Sequence, residues 1–192
     1  MIPLLKRAFW LPLFAALLAA NASVPVDYTL DESNSLLSAK VPFFGLSSKT
    51  ATFPKVSGTA RIVGNDPSRA EIDVTWDATA ITAPDTVTLN RLKGEKFFWV
   101  DEHPSIRFSG RSLNMTSATE GSMTGRLTAR GVTKDQTLKV KFDRNPLTAG
   151  ADAPINFTAT AKIDRRDFGM KSYQLIVGNK VNISLRARIV PR

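Results

Sequence analysis

Apolar residues recur at every second position along most of the chain. The clearest run is Ile155, Phe157, Ala159, Ala161 and Ile163, with Asn156, Thr158, Thr160 and Lys162 between them. A strict period of two predicts a strand with one dry and one wet face. The run ends in four charges, Asp164-Arg165-Arg166-Asp167, followed by Phe168 and Gly169. That reads as a core strand that surfaces, ends in ion pairs and turns back at a residue free to take a positive φ. Val181, Ile183, Leu185, Ala187 and Ile189 repeat the alternation against Asn182, Ser184, Arg186 and Arg188. Val56 to Val63 and Ala70 to Asp77 flank the turn signal Gly64-Asn65-Asp66-Pro67, which predicts a hairpin with Ile72, Val74 and Trp76 on one face. A second hairpin has Met123, Gly125, Leu127 and Ala129 on odd positions and Leu138, Val140 and Phe142 on even ones, about a turn at Gly131 to Lys134. The parity switch keeps both apolar sets on one face. Ser35 to Phe44, ended or bulged by Pro42, and Ser105 to Ser109 add further strands.

One short helix is predicted between Asp85 and Phe98. Asp85 caps it, Leu89, Leu92 and Lys93 give the three-to-four spacing, and Gly94 cuts it. The result is an all-β domain of about eight antiparallel strands with one short helix, which leaves a barrel or a sandwich. The long alternating strands favour the barrel, because a closed sheet exposes no edge. The small residues Gly125, Ala129, Ala159, Ala161 and Ala187 face the interior opposite phenylalanines. They are compatible with an open lumen or with a tapered, filled core.

The first 22 residues stand apart. Lys6 and Arg7 precede an apolar run from Ala8 to Ala20, and Ala20-Asn21-Ala22 has the small-x-small pattern of a signal-peptidase site. Cleavage after Ala22 and export to the periplasm are expected, leaving a domain of residues 23–192. Without Lys6 and Arg7 the chain carries 24 basic against 17 acidic residues, a net of +7. The basic residues do not run together, so nucleic acid is not the expected partner, whereas an anionic membrane surface is compatible. The chain has no cysteine and one histidine. A disulfide frame and a cysteine nucleophile are excluded, and a zinc site nearly so. His103 precedes Pro104 in a polar turn, and Asp164 and Asp167 each have an arginine beside them, which suits ion pairing rather than acid catalysis. Asp167-Phe168-Gly169 lacks the glycine-rich and catalytic loops that would make it a kinase motif. No enzyme, metal or cofactor is expected.

Several stretches together resemble the YceI-like proteins, exported lipocalin-like barrels that bind polyisoprenoids and related amphiphiles. They are Tyr28-Thr29-Leu30-Asp31 with Ser35, Phe53 with Val56-Ser57-Gly58, and Leu92-Lys93-Gly94 with Phe97-Phe98, His103-Pro104 and Ile106-Arg107-Phe108. The resemblance continues through Gly125 to Lys134, Ile163 to Gly169 and Val177 to Val181. It departs at Lys40 to Phe44, where many members have a histidine, and at Leu89 to Lys93, where many have Arg-Asp-x-His-Leu. The resemblance implies a long apolar tail, of a polyprenyl or quinone type, threaded along the lumen of a monomer or homodimer, with no catalytic residues.

The candidate lumen lining is Phe44, Trp76, Phe108, Leu127, Phe142, Phe157, Ala159, Ala161 and Ile183, with Phe97 and Phe98 at the helix end. Phe97, Phe98 and Trp99 either line a mouth for the tail or staple the helix to the barrel. The other reading of the whole chain is a filled barrel that works in the envelope through its basic surface.

Overall fold

The structure is a computed structural model that describes residues 25–192 except 65 and 151. The expected leader and its cleavage site lie outside the described residues. Ten strand segments form one antiparallel sheet: β1 (Pro25–Leu30), β2 (Leu36–Phe43), β3 (Ser47–Phe53), β4 (Val56–Val63), β5 (Asp66–Asp77), β6 (Ser105–Met115), β7 (Glu120–Ala129), β8 (Val132–Phe142), β9 (Ile155–Asp164) and β10 (Lys180–Pro191). The helix α1 spans Thr86–Lys93.

The neighbour order runs β1-β4-β5-β6-β7-β8-β9-β10, and β10 returns to β1 at Leu30↔Ile189 and Tyr28↔Pro191, closing a ring of eight. The segments β2 and β3 are continuations of that ring. β2 pairs with the same edge of β10 as β1 does, at Leu36↔Arg186 to Lys40↔Asn182, after a 3-10 turn at Glu32–Asn34. β3 and β4 are parted only by Pro54 and Lys55. The expected barrel of about eight strands and one short helix is therefore the fold, with two of its strands broken.

The inward faces are the predicted ones. Val74, Trp76, Met123, Ala129, Val140, Phe157, Ala159, Leu185 and Ala187 are all buried. Three details differ from expectation. The second hairpin turns in two residues, Arg130 (φ 49) and Gly131 (φ 71), so Val132 already pairs with Ala129; positive φ at both central positions matches the right-handed twist of the strands. β6 runs six residues past Ser109, because an extra residue at Ser112 (φ 64) shifts the register and returns Leu113 to the interior. β3, Ser-Ser-Lys-Thr-Ala-Thr-Phe, has too few apolar residues to announce itself.

The far end of the barrel, where β8 meets β9, is filled. Phe142 and Phe157 pack with ring centroids 5.8 Å apart, and Ile155, Ile189, Leu113 and Met123 are buried around them. Buried Pro146, from the connection between β8 and β9, adds to the closure. Burial pushes the Tyr28 phenol pKa up, and the nearby Asp152 carboxylate adds to the effect. Gly125 does not open space there. A Cβ on it would lie 2.5 Å from the Ser109 carbonyl and 2.6 Å from the Phe108 ring, and one on Gly110 would lie 2.8 Å from the same ring. The two glycines seat Phe108 rather than leave a void.

Candidate functional site: an apolar cavity at the helix end

The ring is complete at the far end but not at the other. Beyond Asp77 the chain leaves the sheet, and among the described residues the outer edge of β3 has one backbone partner, Thr82, which exchanges two hydrogen bonds with Thr52 at 2.9 and 3.1 Å. Helix α1 lies near this gap. Its start is fixed by the Asp85 carboxylate, which accepts the Thr88 N–H at 2.8 Å and pairs with Lys49 of β3 at 2.7 Å. Its end is fixed by Gly94, whose N–H bonds the Asn90 carbonyl. Leu89 and Leu92 give it an inner face packed on the core. The cap and the glycine are those expected from the sequence.

Two adjoining cavities lie at this end. The outer one, about 120 Å³, is bounded by the β2–β3 hairpin, α1 and the loop after β9. The inner one, about 100 Å³, lies within the barrel. Ala39, Phe98, Arg165, Met170 and Val181 belong to the walls of both. Apolar cavities on the order of 150 Å³ stay dry and accept small hydrocarbons; together these two are of that scale.

The predicted lining divides into three groups. Trp76, Phe98, Phe108, Leu127, Ala159, Ala161 and Ile183 line the inner cavity, and Phe97 and Phe98 line the outer one. Phe142 and Phe157 face inward but belong to the far plug and touch neither cavity. Phe44 is not in the lumen. It sits at the hairpin tip with φ 53 and is 61% exposed; its backbone N–H bonds the Ile176 carbonyl while its ring turns outward. The inward positions of β2 are Leu37, Ala39, Val41 and Phe43, so the alternation itself puts Phe44 on the outward parity, and Phe43 lines the outer cavity in its place.

The two readings of the aromatic cluster both describe part of it. Phe97 is stapled, stacked on Tyr173 at 6.0 Å, and Phe98 meets Phe53 edge-on at 5.4 Å, yet both are cavity wall. Trp99 belongs to neither cavity and packs against His103 at 5.6 Å. His103 in turn lies against Gly131, where a Cβ would come within 2.9 Å of its ring.

Arg165 is the residue that sequence reading misplaced. Of the four charges, Asp164 pairs with Arg166 at 2.6 Å and Lys180 at 3.2 Å. The hydrogen bonds from the Arg166 side chain and backbone hold the Asp164 carboxyl well below the usual carboxylate range. Arg165 instead folds inward and is 3% exposed. Its guanidinium donates to the Gly178 carbonyl at 3.0 Å, the Val177 carbonyl at 2.9 Å and the Met170 carbonyl, and lies 5.8 Å from the Phe97 ring centre. Burial pulls its pKa down, though a guanidinium stays protonated. The side chain thus clasps the loop 169–178 against β9 and forms part of the cavity floor. Gln136, inward on β8, and Trp76 are the other polar groups on the inner wall. The Trp76 indole N–H is buried and has no hydrogen-bond partner.

A profile of the YceI-like domain matches residues 28–189. The chain belongs to the YceI-like family. Its relatives include a UPF0312 protein of Pseudomonas putida, 26% identical over 88% of this chain and 89% of that one. Protein YceI of Escherichia coli is also 26% identical, over 83% and 84% of the two chains. Among solved structures, BcnA of Burkholderia cenocepacia superposes with a TM-score of 0.74 at 19% identity, covering 83% of this chain and 98% of its own. A polyisoprenoid binding domain from Saccharophagus degradans, implicated in plant cell wall breakdown, gives 0.66 at 13% identity, covering 87% and 99%. In this YceI-like barrel, stretches that carried the resemblance supply part of the cavity's boundary: Phe97-Phe98 its wall and Arg165 its floor.

Proposed function

We propose that this protein binds and carries, without catalysis, a long-chain isoprenoid of polyprenyl or quinone type, or a similar amphiphile, in the periplasm. The observation that supports this best is the hollow, almost wholly apolar helix end of an otherwise filled barrel. The polyisoprenoid-binding domain with the same fold favours the same class of ligand. Tail burial contributes about 25 cal/mol per Å² of apolar surface, offset by the ordering of a flexible chain. The unpartnered Trp76 N–H favours a ligand that carries an oxygen, because a buried donor left unpaired costs about 1–3 kcal/mol. Binding of this kind needs no cofactor or metal.

Organic extraction of the purified protein followed by mass spectrometry tests the reading directly. A stoichiometric isoprenoid or acyl species is expected. An empty extract together with no uptake of added quinone would overturn the lumen site. Ala161→Trp, on the inner wall, is expected to abolish uptake while the protein stays folded. Trp76→Phe removes the N–H and also trims the indole to a smaller phenyl, so the comparison carries the test: an oxygen-bearing ligand is expected to weaken about 2- to 10-fold more than a plain hydrocarbon of similar size.

A further inference from the structure

The large hydrophobic residues left exposed among the described residues are Phe44 (61%), Leu46 (97%), Val87 (60%) and Leu175 (100%). All four sit at the helix end. Phe44 and Leu46 form the tip of the β2–β3 hairpin, Val87 lies on α1, and Leu175 lies in the loop after β9. Three of them are chain neighbours of residues that line the outer cavity: Phe44 of Phe43, Val87 of Thr88, and Leu175 of Ile176. The three segments are also tied to one another. Phe44 N–H bonds the Ile176 carbonyl at 2.8 Å, Gly178 N–H bonds the Pro42 carbonyl at 2.8 Å, and Lys49 pairs with Asp85. Single exposed apolar residues need no explanation, but a set that rims one opening marks an interaction site.

Charge says what it meets. The segments 40–49, 85–98 and 164–180 that carry these residues hold nine Lys or Arg against four Asp or Glu, and the adjoining turns add Asp101, Glu102 and Arg130. The rest of residues 23–192 holds 15 against 13. Of the nine, only Arg165 is buried. Arg91 and Lys96 both lie over the half-buried Tyr173 ring, at 5.3 and 5.5 Å, so two cations converge on one aromatic side chain. Apolar side chains projecting past a ring of cations suit a surface that is anionic outside and hydrocarbon beneath. Among the described residues, the exposed face of the far end, with Asp143, Arg144 and Asp152, offers no comparable apolar group.

We propose that the helix end docks on the surface of an anionic lipid bilayer, with Phe44, Leu46, Val87 and Leu175 inserted and the surrounding lysines and arginines on the headgroups. The opening of the apolar cavity then faces the membrane, so that a tail passes between bilayer and lumen without crossing water. This last step rests on the lumen reading above; the docking itself does not.

Co-sedimentation with vesicles tests it. The purified protein is expected to sediment with vesicles rich in phosphatidylglycerol and not with phosphatidylcholine vesicles, and to be released as salt rises from about 0.1 M to about 1 M. Leu46→Glu combined with Leu175→Glu is expected to lower partitioning at least about tenfold. Both positions are almost fully exposed, so the fold has no stake in them. Uptake of quinone added in dilute ethanol, read in the same two proteins, is expected to be equal. No sedimentation of the native protein, or equal sedimentation of the double variant, would overturn the docking surface. So would a dimer of the native protein in solution that the double variant breaks, because the apolar rim would then be covered by a second copy. Sedimentation without quinone uptake in either protein would sink the lumen reading and leave the docking surface standing.

Discussion

The two halves of the barrel follow the same alternation and reach opposite ends. In the far half the inward positions carry large groups, Phe142, Phe157, Ile155, Ile189, Leu113 and Met123, all buried, with Phe142 packed on its cross-strand partner Phe157. In the helix half the inward positions of the neighbouring strands β9 and β10 and of β2 are Ala159, Ala161, Ile183, Val181 and Ala39, and a cavity remains. Ala161 faces Ile183 across the β9–β10 ladder, while Phe157 faces Ala187, so the switch from filled to hollow occurs within four residues of one strand. A barrel of this size is wide enough for side chains to fill or for one small ligand. Which of the two occurs depends on side-chain volume at each level and not on the strand pattern. One half supplies stability, the other leaves room.

The sharpest test of that contrast is a pair of opposite volume changes on the same face of β9. Phe157→Ala removes a ring from the plug and is expected to cost about 3–5 kcal/mol, because the packed far end cannot collapse onto the void. Ala161→Leu adds volume where space exists and is expected to change stability by less than about 1 kcal/mol. Urea unfolding monitored by tryptophan fluorescence measures both, read as midpoint shifts at constant slope. Equal costs would mean that the halves are packed alike. Gly125→Ala is the intermediate case. Its Cβ would press on the Ser109 carbonyl and the Phe108 ring, and overpacking of this kind costs about 1–3 kcal/mol. A neutral Gly125→Ala would show that Phe108 is free to move, and so that the inner cavity extends further toward the plug.

Much of this could be read in the chain before the fold was known. β9 and β10 alternate for nine residues each, and long strands of that kind leave little freedom of register. The Asp85 cap and the Gly94 stop placed α1 correctly. The position of the cavity was harder to see. Gly125 looks like space in one dimension, but its partner Gly110 lies on the next strand, and only that adjacency shows that the two glycines form a seat for Phe108. Phe44 was legible: Leu37, Ala39, Val41 and Phe43 hold the inward parity of β2, so Phe44 falls on the outward one, and the positive φ values at Phe44 and Gly45 end the strand there. Arg165 was hidden among neighbours of both signs. Local charge balance suggests an ion pair, whereas its partners are carbonyls 5 to 13 residues away that close into a loop around it. Side chains that act through non-local backbone leave no local signature.

The contrast between the halves also predicts how each responds to acid. The far end is closed by apolar packing, which does not titrate, and bears on its outer face the exposed Asp27–Arg61 pair, which holds the Asp27 carboxyl below its usual range. The helix end is fastened in part by the Lys49–Asp85 pair, and there the Lys49 hydrogen bond, with those of the Thr88 N–H and hydroxyl, lowers the Asp85 pKa from 3.8 to about 2. A depressed folded-state pKa means that the clasp contributes fully above about 3.8 and is lost as pH falls through about 2. The carboxyl ¹³C resonance of Asp85 is expected to titrate with a midpoint near about 2. Lys49→Met removes the largest cause and should move that midpoint up toward 3.8, while the Thr88 contacts keep it from arriving there. Because the lysine and the helix cap act on one carboxylate, the same variant should loosen α1 over the gap beside β3 at neutral pH. Exchange of the Thr88 amide is expected to quicken, and exchange of the Val140 amide in the far half to stay as it was. A midpoint of 3.8 in the native protein would mean that the pair does not form in solution, and that Thr52 and Thr82 alone hold this side of the cavity shut.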